Sequence, residues 1–250
     1  MNITSLYETD SFLFNVQAGL IPGIQQIRKY GINTDIDVST SPEDLWDGGG
    51  TYQYPTVNEG LYCYSSNEND TTTSVIVEGL VEEGGDWKLK NVEVTLEGTT
   101  PVSLGLFIRV FRARISSETQ PTGNILITLG NSGATTPDNS ILRAQITQGR
   151  NSTLMAMYSV PTGYTAFMYR LFGSVSKNKD AEMSWDIRKF GGVFYTTAIV
   201  GLYEESKQFE LGFEKVPEKS DIKVSAVTEN NGTEARDSFH FLLVDNNFIK

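Results

Sequence analysis

Reactive side chains are scarce in this chain. It has one cysteine, Cys63, and one histidine, His240, 177 positions apart. A lone cysteine excludes an internal disulfide framework, so the fold must be held by packing. Cys63 sits in the strand-like run Leu61-Tyr-Cys-Tyr64 and reads as a small apolar side chain, far in sequence from any imidazole. His240 lies between Phe239 and Phe241 in Ser238–Val244, the setting of a strand histidine. Nucleophilic catalysis needs a base held against the nucleophile. With so few candidates, no catalytic residue is assigned.

Other absences narrow the field further. No stretch approaches 18 apolar residues, so no membrane-spanning helix is expected. The start Met1-Asn-Ile-Thr-Ser-Leu6 has neither a basic nor an apolar signal region, and no secretory signal is expected. The four glycosylation sequons, at Asn2, Asn69, Asn151 and Asn231, read as chance in a chain rich in Asn and Thr. Gly48-Gly-Gly50 lacks the Lys-Ser/Thr of a phosphate cradle and leads into Tyr52-Gln-Tyr54, so no nucleotide cofactor is expected. Asp35, Asp37, Asp44 and Asp47 crowd one loop, but without calcium-loop spacing or a closing bidentate Glu. No metal is assigned. Ser41-Pro-Glu-Asp44 reads instead as a helix start, with Ser41 as N-cap and Pro42 at the first helical position.

Basic charge is missing from one end only. Residues 1–100 carry 4 Lys/Arg against 16 Asp/Glu, and the other 150 residues carry 16 against 15. The acidic front argues against direct binding to nucleic acid. It suits either a solvated face or docking on a basic surface.

The chain does have alternation. Thr, Gly, Val and Tyr are plentiful, and from Thr51 onward strand-like runs recur between short turns. Val75–Leu80 and Asn91–Leu96 flank Gly84-Gly85 as the arms of a hairpin. Val92, Val94 and Leu96 alternate with Glu93 and Thr95, giving one dry face and one wet face. In Leu106–Ile115, Arg109 is off-phase with Arg112 and Arg114. That pattern fits a bulge, or charge carried onto a buried or partnered face. Further strands are expected over 123–129, 141–146, 153–160, 165–175, 183–190, 193–200, 210–213, 221–227 and 238–244.

No segment of 12 or more residues has a convincing 3.6-residue apolar period. The expectation is therefore an all-β chain, sandwich-like or jelly-roll-like, with two β units and an extended N-terminal arm. The arm is placed at 1–50, the first unit at 51–135 and the second at 136–250. The seam is expected in the loop Gly130–Asn139. Within the arm, Ile24–Tyr30 fits two helical turns or an edge strand, and Gly31 is expected to end it either way. Trp87, Trp185, Tyr164 and Tyr169 fit core positions, or the alternative of a sugar-binding platform.

Two segments carry a family resemblance. Tyr30–Asp37, followed by Pro42-Glu-Asp-Leu-Trp-Asp-Gly-Gly-Gly-Thr-Tyr52, resembles a block near the start of uncharacterised virion proteins of tailed phages, marine ones especially. Glu78-Gly-Leu80, Val92–Val102, Phe107–Ala113, Leu154–Ala166, Arg188–Phe194 and Val216–Ile222 fit the continuation of those proteins in order. The linker at 116–124 is shorter than the family pattern. The resemblance implies a non-enzymatic virion structural protein assembled in the host cytoplasm: a capsid decoration, knob or cement protein. A tail-associated or host-glycan-binding module is the alternative. The implied partners are other virion proteins, the major capsid protein first among them, and further copies of the chain itself. No catalytic, cofactor or metal residue comes with it.

Overall fold

The computed structural model describes residues 9–39, 41–130 and 137–249. Strands make up 61% of the described residues and helix 4%, so what covers each sheet is chiefly another sheet. In chain order the elements are helix α1 (Thr9–Gln17) and strands β1 (Ile24–Ile36), β2 (Glu43–Asp44), β3 (Glu59–Ser65), β4 (Ser74–Glu83), β5 (Asp86–Thr95), β6 (Val102–Phe107), β7 (Arg109–Ile115) and β8 (Ile125–Gly130). There follow β9 (Pro137–Ile146), β10 (Met157–Ser159), β11 (Tyr164–Val175), β12 (Asp180–Lys189), β13 (Tyr195–Tyr203), β14 (Ser206–Val216), β15 (Ser220–Val227) and β16 (Thr233–Asp245).

The described residues form four antiparallel sheets, stacked in two pairs. One sandwich pairs the sheet β6-β3-β8-β9 with β5-β4-β7. Its core is filled from both sheets by Leu61, Cys63, Val75, Val77, Phe107, Val110, Ala113, Ile125, Ile127, Ala144 and Ile146. The other pairs β1-β16-β11-β14 with β10-β15-β12-β13, and β2 adds to β15. Period-two alternation decides these faces. In β16, Phe239, Phe241 and Leu243 enter the core, while Leu242 and Val244 point the other way under Val16 of α1. The hairpin at Gly84-Gly85 forms as expected, with φ of 63° and 91° at the two glycines and Glu83 paired to Asp86. Those values match a type I′ turn.

The structure revises the expected boundaries. Residues 24–36 are not part of an arm: β1 pairs along β16 from Ile24↔Val244 to Ile36↔Thr233, and Ile36 is fully buried. Gly31 does not end that strand. A Cβ there would stand 2.2 Å from the Leu45 carbonyl oxygen and 2.4 Å from the Ala156 nitrogen, so glycine permits close crossing of three segments. The apolar run Phe12–Val16 is helical rather than extended.

Ser41 and Pro42 do not start a helix; they lead into β2, whose register is Ser225↔Asp44 and Ala226↔Glu43. The expected seam at 130–139 falls within the β8–β9 connection, with residues 131–136 outside those described. β9 pairs with β8, so the first sandwich runs to Ile146 and the crossing lies between Thr147 and Ala156. Leu106–Ile115 is two strands, parting at Ile108 to join different sheets.

Candidate functional site

The polar face of β15 marks the centre of the molecule. Ile222, Val224 and Ala226 point into the core; Asp221, Lys223 and Ser225 point out, yet these too are buried. They are covered by β7 of the first sandwich and by the segment 43–54. A charged strand face under cover requires partners for every charge.

Asp221 supplies the principal junction. Its Oδ1 accepts from Arg109 Nε at 2.7 Å and from Ser159 Oγ at 2.5 Å, and its Oδ2 accepts from Arg109 Nη2 at 2.9 Å and Arg188 Nε at 3.0 Å. Arg109 also donates through Nη1 to the carbonyls of Pro55 and Ile108, at 2.5 and 2.7 Å. The off-phase arginine of the 106–115 run therefore carries its charge across to the other sandwich. Tyr54 and Trp87 flank its guanidinium, with centroids 5.3 and 4.7 Å away. Arg188 lies 4.4 Å from the Tyr54 ring and 4.5 Å from that of Phe194. Arg112 and Arg114, on the other phase, meet Glu78 at 3.6 and 3.3 Å.

Glycine and aspartate residues of the Pro42–Tyr52 block form a clasp beside this junction. Asp44 Oδ1 accepts from Lys223 Nζ at 2.6 Å and its Oδ2 from the Tyr52 N–H at 2.7 Å. Burial raises the Asp44 carboxyl above its usual range despite the adjacent lysine. Leu45 N–H donates to the Val224 carbonyl, and Ala156 N–H donates to that of Leu45. Asp47 N–H donates to the Leu154 carbonyl at 3.0 Å, and Leu154 N–H returns to the Asp47 carboxylate at 3.2 Å. Burial pushes the Asp47 carboxyl up to about 7. Trp46 stacks edge-on against Tyr52, which does the same to Tyr54. A Cβ on Gly48 would enter the Trp46 ring at 2.3 Å.

Lys29 completes the seam from β1. It is buried and donates to the Phe111 carbonyl. Burial, reinforced by the charge of Arg112, holds its amine well below the ordinary lysine range. Trp87 and Thr162 exchange bonds between the sandwiches, Trp87 N–H to Thr162 Oγ1 at 2.8 Å and Thr162 N–H to the Trp87 carbonyl at 2.9 Å. Leu80, Trp87, Ile108 and Phe111 of the first sandwich belong to the hydrophobic core of the second.

The remaining sequence candidates are placed as follows. Cys63 is fully buried, with its thiol pushed up to about 12 by burial. His240 is half-buried between the edges of Tyr30 and Tyr169, 6.4 and 6.3 Å away. Burial, aided by Arg28 and Arg170, lowers it to about 4. Trp87 and Trp185 are buried, so neither offers a face to a sugar.

Asp35, Asp37, Asp44 and Asp47 do not converge: Asp44 faces Lys223 and Asp47 faces Leu154. Among the described residues no group of three or more His, Cys, Asp or Glu side chains could hold a metal ion, and no helix is long and apolar enough to cross a membrane. Asp221, Lys223 and Arg188 were not legible as site residues. Their one trace in sequence is charge at alternate positions of an otherwise apolar strand.

No protein-family model matches the chain, and neither does any curated protein. Among solved structures it is similar to one of the Gx strain of infectious bursal disease virus. Identity is 11% and the TM-score 0.27, with 90% of this chain and 73% of that one covered. A VP2 subviral particle of the same virus gives 10% identity and a TM-score of 0.23, covering 94% of this chain and 78% of that one. The exported protein XepA of PBSX gives 11% and 0.19, covering 86% and 84%. Likenesses this loose leave function to the chain's own residues.

Proposed function

We propose that this chain is a structural subunit of a virus particle, of the tailed-phage type, that acts by packing against other virion proteins rather than by catalysis. One observation carries the reading. The block Tyr30–Asp37 plus Pro42–Tyr52, the most specific part of the resemblance to phage virion proteins, is the clasp that welds the two sandwiches. Its distinctive residues have structural duties here: Gly31 lets β1 pass Leu45 and Ala156, Asp44 neutralises Lys223, and Gly48 sits on the Trp46 ring. A family sharing those residues would share the weld, and with it a rigid two-sandwich body.

The ionisable groups at the seam are spent on one another or on backbone groups, which suits a part whose work is to hold shape. The finer reading is a decoration, knob or cement protein on the major capsid protein, present in repeated copies. Mass spectrometry of purified particles tests it. The expected result is the chain at a copy number comparable with other surface proteins of the particle. Recovery only in the soluble fraction of lysed cells, absent from purified particles, would overturn it.

A further inference from the structure

A sheet edge exposes a row of unpaired N–H and C=O groups, and stable proteins guard such edges with charge, proline, bulges, short length or cover. The described edges of this molecule are guarded with one exception. β14 carries Lys207, Glu210, Glu214 and Lys215 and is bulged against Met168 and Arg170. β5 carries Lys88, Lys90 and Glu93. β6 is short, turns at Gly105 with φ of 73°, and has Lys90 capping the Leu104 and Leu106 carbonyls. β10 has three residues. β7 is covered by the segment at Asn151–Thr153; β1 carries Arg28 and Lys29 and meets Leu154 at Ile32; and β9 opens on Pro137 and carries Arg143.

β13 is the exception. Tyr195-Thr-Thr-Ala-Ile-Val-Gly-Leu-Tyr203 has no charge and no proline over nine residues. It pairs with β12 on one side, and among the described residues nothing pairs with it on the other. Ile199 and Tyr203 stand 60% and 69% exposed. They lie opposite Ser184 and Asp180, so both are on the solvent face, while Ala198, Val200 and Leu202 face the core. A β-rich, uncharged, unpaired strand is the composition that associates with other strands.

We infer that β13 is the self-association strand: two copies join β13 to β13, antiparallel across a two-fold axis, merging two sheets into one. Self-complementarity about a two-fold axis selects a second copy as the occupant, and charge leaves this strand open to it. Each chain carries a net charge of −11, so like copies repel over most approaches, and the uncharged strand is where that repulsion is least. An uncharged strand also has nothing with which to attract a charged partner. The register centred on Gly201 sets Ile199 opposite the second copy's Tyr203 on the same face, twice, an aromatic against a β-branched side chain. Gly201 has open space at its Cβ position, leaving room for the two tyrosines to cross.

The test is sedimentation equilibrium of the full chain and of the Ile199→Lys and Tyr203→Lys variants, with circular dichroism as the check on folding. A dimer is expected for the parent, with association weakened at least about tenfold in either variant. Gly201→Cys is expected to give an oxidised dimer, since Cys63 is buried. A monomeric parent, or a dimer indifferent to both lysines, overturns the proposal; a lysine-sensitive dimer that Gly201→Cys cannot cross-link overturns the register. The proposal stands apart from the virion reading: a dimer absent from particles refutes that reading alone, and a monomer built into particles refutes this one.

Discussion

Replacing Asp221 by alanine isolates what the seam contributes. The substitution removes the acceptor of four hydrogen bonds and leaves Arg109, with a side chain 2% exposed, as a buried cation facing no anion. Arg188, 20% exposed, can turn toward water, so most of the penalty falls on Arg109. Leaving one member of a buried pair unmatched costs about 3–5 kcal/mol. For a cooperative unit of this size that lowers Tm by roughly 6–20 °C. Removing both charges, as Arg109→Met with Asp221→Leu, is expected to recover much of the loss, because the paired charges themselves bore a desolvation cost.

Urea unfolding followed by tryptophan fluorescence and by far-ultraviolet dichroism measures this. Trp46 and Trp87 report on the seam and Trp185 on the second sandwich, while the dichroism reports on the strands of both. The two signals are expected to coincide in the parent and to shift together in Asp221→Ala. Two separate transitions in the parent, or a loss below about 1 kcal/mol, would refute the claim that the seam makes one body of two sandwiches.

Other outcomes follow from individual side chains. Asp47 has its folded pKa raised to about 7 from 3.8, so the folded state holds more protons across that window and stability falls as pH rises through it. Asp47→Asn is expected to raise stability at pH 8 by roughly 1–3 kcal/mol and to lose that advantage by pH 4, read from urea midpoints. His240 is lowered to about 4 from 6.5, so its folded state holds fewer protons and stability drops as pH falls below about 6.5. His240→Gln should remove a loss of roughly 1–2 kcal/mol between pH 6.5 and 4. Gly31→Ala drives a methyl into the Leu45 carbonyl and should destabilise by about 1–3 kcal/mol or more, seen as a lower Tm. Cys63 should resist aromatic disulfide reagents in the native state and react at the rate of unfolding, since the thiol is fully buried.

Strands were legible wherever one face is wet. Val92 and Val94 alternate with Glu93, and the Gly84-Gly85 turn fixes register, so β4 and β5 could be read directly. The N-terminal segment was harder, because β1 borrows its order from distant residues: Ile24–Ile36 is a strand only because β16, at the far end of the chain, accepts it. Gly31 looked like a terminator because nothing local announces that Leu45 and Ala156 press against it. The clasp was visible as a motif but not as a device. Asp44 and Asp47 read as a crowded acidic loop, since their partners, Lys223 and Leu154, lie far along the chain. Arg109 alone gave warning, by standing out of phase in an apolar strand.

An electron cryomicroscopy reconstruction of purified particles, at a resolution that separates sheets, tests the central claim most directly. The account predicts a repeated surface density into which both sandwiches dock as one body, with the 43–54 clasp between them and β13 at a contact between subunits. Particles without such density, or with the two sandwiches in separate orientations, would contradict it.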